Sequence, residues 1–153
     1  KLLTCVLMFI GGSPGSTAGG IKTTTIFILV VSLWSGITNR HKTAVFKRRF
    51  EDDAIKKAST VFTLNMFLAI FALFTILAIT DLSLSDVMFE VFSAIGTVGM
   101  TTGITRDLSS AARIIIMVLM FCGRVGSLSF ALTFLQGKKD PPVYYPEEEI
   151  SVG

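Results

Sequence analysis

GGSPGSTAGGIK, residues 11–22, sets five glycines, a proline and small hydroxyl residues between two apolar runs. Leu2–Ile10 before it is apolar for about nine residues, some 14 Å as a helix, which ends near the middle of a ~30 Å hydrocarbon layer. Thr23 to about Ile37 after it is apolar again. Lipid satisfies no backbone N–H or C=O group, so unwound chain at that depth must be buried in protein or line a water-filled path. Gly11, Gly12, Gly15, Gly19 and Gly20 let the segment change shape at low steric cost, while Ser13, Ser16, Thr17 and Lys22 can exchange hydrogen-bond partners. Those are properties of a gate, set in a helix that the loop breaks in two.

Composition supports a membrane setting. The 153 residues are 51% hydrophobic and 16% charged, with mean hydropathy +0.68, whereas about a quarter of the residues of a soluble domain are charged. Val61–Ile79 carries no charge over about nineteen residues, the length a helix needs to cross the bilayer. Asn39–Lys57 concentrates basic charge, with Arg40, Lys42, Lys47, Arg48, Arg49, Lys56 and Lys57. The positive-inside tendency puts that loop, expected over 39–60, in the cytoplasm. Beyond the span lie Asp81, Asp86, Glu90 and Asp107 against Arg106, an acidic far side. The expected fold is all-α and multi-pass, and the start at Lys1 reads as the start of a fragment.

On that far side DVMFEVFSAI, residues 86–95, is amphipathic and too short to span, so it reads as a re-entrant helix capped by Ser83 or Ser85. GTVGMTTG, residues 96–103, follows it directly, and an apolar run from about 110 to 135 comes next. Short helix, glycine-containing segment and spanning helix make the layout of a cation pore. The C-terminal end of the short helix offers partial negative charge, and an extended segment can turn carbonyl oxygens inward to replace an ion's water. A glycine-threonine turn between two helices would use the same residues; the flanking pattern favours a filter over residues 96–100, in which Gly99 permits the backbone angles.

Arg124 sits near the middle of that last run, where a lipid-facing arginine costs about 3 kcal/mol, so it faces protein or water. It can satisfy carbonyls of a neighbouring segment, or stand as a fixed positive charge in the path of exiting cations; Arg113, nearer the outer end, can snorkel. The pattern argues against a phosphate-binding loop at residues 15–22, because Ile21 separates Gly20 from Lys22 and the preceding residues belong to an apolar membrane run. His41 is the only histidine and lies in the basic loop, and Cys5 and Cys122 sit in apolar runs as small hydrophobes. No hydrolytic or metal-cage constellation is present, which argues against an enzyme, and nothing points to nucleic acid. The end, DPPVYYPEEEISVG, reads as an extended polar tail within 136–153.

MFIGGSPGSTAGGIKTTT (8–25), FSAIGTVGMTTGIT (92–105) and FCGRVGSL (121–128) together resemble the Trk/Ktr/HKT superfamily of potassium transporters, and the KtrB type of bacterial membrane subunit most. The resemblance covers the chain to about Leu135. It implies four repeats of helix, pore helix, filter and helix around one pseudo-fourfold pore, of which this chain carries two pieces. Residues 1–38 would be the second helix of repeat three, broken by the gating loop 11–22. Residues 61–135 would be repeat four: helix 61–80, pore helix 86–95, filter 96–100 and helix 110–135. By the same likeness Thr97, Val98, Gly99 and Met100 supply one filter strand for K⁺, and Arg124 faces the pore. The resemblance further implies a membrane homodimer on a cytosolic RCK-type (KtrA-like) ring, with ATP or ADP bound to the ring and not to this chain. The loop 39–57 and the tail would face that ring, although lipid phosphates alone could account for the loop's charge.

The expected function is K⁺ uptake across the bacterial cell membrane through a carbonyl filter controlled by the 11–22 loop. An ion-coupled secondary transporter remains a second class, because broken helices also build midplane sites there. A non-conducting membrane interaction subunit is a third.

Overall fold

The structure, a computed structural model, describes residues 1–16, 18–38, 44–45, 48–49 and 52–126. Among these the fold is helical, apart from a two-residue antiparallel ladder. Helix α1 spans Leu2–Phe9 and α2 spans Thr23–Ile37. The short strands β1 (Ala44–Val45) and β2 (Arg48–Arg49) pair with Ala44 opposite Arg49. Helix α3 runs Asp52–Ile79, α4 runs Leu84–Ile95 and α5 runs Ser110–Val125.

The loop breaks the first helix where glycine and proline withdraw helical support. Ile10 leaves the α region at φ −82°, ψ 87°, and Lys22 re-enters from extended geometry at φ −76°, ψ 150°. The third helix differs from the expected 61–80. It begins nine residues earlier, inside the segment expected as basic loop, because Ala54, Ile55, Lys56, Lys57 and Ala58 are good helix formers with no glycine or proline before Val61. Its stretch Asp53–Ile79 is long and apolar enough to cross a bilayer. The short helix α4 starts two residues before the expected 86. Ser83 caps it, accepting from the backbone amide of Asp86. The last helix, expected over 110–135, is helical to Val125. Gly126 then takes φ 89°, ψ 124°, and residues 127–135 lie outside the described residues. So do Thr17, residues 39–43, 46–47 and 50–51 of the basic loop, and the tail 136–153.

Helix α4 packs against α1, α3 and α5, and α3 also touches α2 and α5. The core is built from stripes at helical spacing: Ala69, Ala72 and Ile76 of α3, Val87, Val91 and Ala94 of α4, and Ala112, Ile116 and Leu119 of α5. A second cluster joins Cys5 and Met8 of α1 to Phe89 of α4, and Phe9 meets Phe92 edge-on with ring centroids 5.2 Å apart. The outward faces are apolar too. Phe67, Phe71 and Phe74 of α3 are 64%, 63% and 70% exposed, a helix apolar all round, as a lipid or protein environment requires and water does not. The small residues Ala69 and Ala72 on the inner face let α3 approach its neighbours closely.

Candidate functional site

The 11–22 loop is pinched shut at its base. Ile10 and Ile21 form a parallel bridge, the amide of Gly11 donates to the Ile21 carbonyl at 2.6 Å, and the amide of Thr23 donates to the Gly12 carbonyl at 3.3 Å. Above this neck the chain turns on itself: the Ser16 amide donates to the Ser13 carbonyl at 3.1 Å, and the Ala18 amide to Ser16 Oγ at 3.3 Å. Ser13, Gly15 and Ser16 are exposed, whereas Gly19 is buried. Lys22 ends the loop, half-buried, as the residue before α2.

The other expected site segment begins at the C-terminal end of α4. The amides of Gly96, Thr97 and Val98 donate to the carbonyls of Phe92, Ala94 and Ser93 at 2.9, 3.1 and 3.0 Å. These bonds prolong the helix end and hold the start of the segment against it. Beyond them φ alternates in sign. Thr97 has φ 52° and Gly99 φ 79°, while neither Val98 nor Met100 is positive. In a β-strand successive carbonyls point to opposite sides; alternation in the sign of φ is the condition that turns neighbouring peptide planes the same way. A β-branched residue in the left-handed region is strained and needs support from its surroundings. Val98, Gly99 and Met100 are exposed.

The two segments meet. The buried amide of Gly19 donates to Thr97 Oγ1 at 2.9 Å. A methyl group at Gly19 would fall 2.7 Å from both the Thr97 side chain and the carbonyl oxygen of Gly123, and one at Gly123 would strike the carbonyl of Ile95. Three backbones, from the loop, the end of α4 and α5, therefore converge at distances that only glycine allows. Arg124 follows Gly123 directly, exposed in the last turn of α5. The structure thus brings together Gly19, Thr97 and the residue before Arg124. It leaves Ser13, Gly15 and Ser16 at the loop's far, exposed end.

Glu90, one of the acids expected on the far side of the membrane, is 6% exposed. Its Oε1 accepts from the hydroxyls of Thr101 and Thr105. The signal was available in the helical spacing: position 90 lies three residues after Val87 and four before Ala94, both on the buried stripe of α4. Among the described residues no three histidines, cysteines or acids group as a metal cage. A cation held at this junction would meet backbone carbonyls and hydroxyls, the oxygen ligands that suit an alkali ion.

Comparison with known proteins gives the chain a family. The chain is 41% identical over 152 residues to the Ktr system potassium uptake protein D of Bacillus subtilis, covering 97% of this chain and 33% of that protein. It is 35% identical over 152 residues to the Ktr system potassium uptake protein B of the same organism, covering 99% and 34%. It is 37% identical over 159 residues to the potassium/sodium uptake protein NtpJ of Enterococcus hirae, covering 99% and 35%. The chain spans about a third of the length of these relatives. The description of the family TrkH, cation transport protein, matches residues 1–140, nearly the whole sequence, and the chain belongs to that family.

Proposed function

We propose that this chain forms part of a K⁺ uptake protein of the bacterial cell membrane, in which residues 96–100 are one strand of a carbonyl filter and residues 11–22 are the gate beneath it. The observation that carries the reading is the Gly19–Thr97 hydrogen bond, because it seats the unwound loop against the first residue of the segment whose φ alternates in sign. Names of the relatives support potassium as the ion. The short helix α4 ends at this segment, so the negative end of its dipole lies where a cation would pass. In this reading α1, the loop and α2 are one broken helix, α3, α4 and α5 are the helix, pore helix and helix of a pore repeat, and the rest of the intact protein supplies the other filter strands.

Ions move passively in this mechanism. Backbone carbonyls of Thr97, Val98, Gly99 and Met100 take the place of water around K⁺, and the loop blocks or opens the path below. Arg124 raises the barrier for cations near the loop. A homodimer on an ATP- or ADP-binding ring is the assembly implied by the sequence resemblance.

The test uses the intact protein in cells lacking other K⁺ uptake. Deleting residues 13–19 should raise K⁺ flux, or free it from nucleotide control, with the protein inserted in normal amount. Protein that inserts normally and carries wild-type, fully regulated flux would refute the gate.

A further inference from the structure

We infer that Glu90 is a positioning residue that sets the spacing of filter carbonyls from behind; the inference rests on the filter reading of residues 96–100. The segment is tied at both ends to one helix. At its start the amides of Thr97 and Val98 donate to carbonyls of Ala94 and Ser93. Just past its end, the Thr101 hydroxyl donates to Glu90 Oε1. Glu90 also accepts from Thr105 Oγ1 at 3.0 Å, and Thr101 Oγ1 lies 2.7 Å from Thr105 Oγ1. The amide of Gly103 donates to Thr101 Oγ1 at 2.9 Å, closing the turn that leads away.

Both anchors stand on α4: the carbonyls of Ser93 and Ala94, and the side chain of Glu90, which starts one helical turn, about 5.4 Å of rise, earlier in the helix. A helix is stiff at that length, and the chain between the anchors is exposed. The four carbonyls therefore take their spacing from a rigid ruler whose upper mark is a carboxylate. A carboxylate suits the task because it accepts more than one hydrogen bond without needing a donor of its own. In a poorly hydrated setting a hydroxyl bond to a charged acceptor is stronger than one between neutral groups. The three oxygens of Glu90, Thr101 and Thr105 form one network, and removing the carboxylate leaves the two hydroxyls with each other and with the Gly103 amide, and without an anchor on α4.

The experiment is a K⁺ and Na⁺ flux measurement on the intact protein in liposomes, with Gly99→Ser as the control for the filter itself. Glu90→Ala should lower the K⁺ over Na⁺ flux ratio by about tenfold, the effect expected of one lost hydrogen bond to a charged group. Glu90→Gln keeps an acceptor oxygen and should recover most of the ratio. Thr101→Val should lower the ratio as Glu90→Ala does, and the double variant should be no worse than either alone. A wild-type ratio in both Glu90→Ala and Thr101→Val, with Gly99→Ser impaired, overturns the role of Glu90 and leaves the filter standing. A wild-type ratio in Gly99→Ser as well overturns the filter reading. Should Glu90→Ala fail to insert, Thr101→Val decides the matter alone.

Discussion

The amide of Gly19 reaches 2.9 Å across from the broken helix to the hydroxyl of Thr97, a bond that joins residues 78 positions apart. Thr97 is also the non-glycine residue with positive φ among those described. The strained residue of one segment is thereby held by the backbone of the other, and a change in the loop changes the support under Thr97.

Replacing Thr97 by valine keeps the shape and removes the acceptor, leaving a buried amide unpaired at a cost of about 1–3 kcal/mol. The loop should leave its seat more often, so resting K⁺ flux should rise severalfold in tracer uptake. Thr97→Ser, which retains the hydroxyl, should stay near wild type. Equal flux in valine and wild-type proteins would show that the bond does not hold the loop.

Gly99 sits at φ 79° with open space around the position of a side chain. A serine there would clash with nothing, so its effect is on the backbone alone, at about 1 kcal/mol or more. K⁺ over Na⁺ discrimination should fall in protein that is still inserted in normal amount. Unaltered ion preference would remove residues 97–100 from the filter.

Gly123→Ala should be severe for a different reason. Its methyl would press on the Ile95 carbonyl, which is backbone and cannot swing aside, and overpacking of this kind costs about 1–3 kcal/mol. The melting temperature of the detergent-solubilised protein should drop by several degrees. Gly36→Ala, on α2 with nothing within 4 Å, should leave it level or slightly raised.

Arg124→Gln tests the barrier. Removing the charge should alter K⁺ flux in protein that is still inserted in normal amount. If only expression changes, the arginine has a structural role.

The break at 11–22 was legible because glycine and proline act locally, within the residues that carry them. The amphipathic character of residues 86–95 was legible too, through helical spacing. What could not be read was long-range contact. Nothing near Gly19 or Gly123 in the chain announces that each lies against another backbone, and either glycine alone signals only conformational freedom. Thr97 was named through the family likeness, yet its positive φ runs against the preference of β-branched residues and comes with tertiary support. The burial of Glu90 went unread because acids were grouped by segment and not by helical face. The early start of α3 was missed because charge was taken to mark a loop, although lysine and alanine propagate a helix well.

The bridge between Ile10 and Ile21 has a consequence for how such a chain can diversify. With entrance and exit side by side, the stretch above them is a closed bight whose contour length does not set where α1 and α2 lie. Insertions or losses among the exposed residues at its tip change how much of the bight hangs free without shifting either helix along its axis. In the proposed gate, indels at that one spot would retune flux while both helices stay in place, as a stopper is exchanged without recutting the bottle.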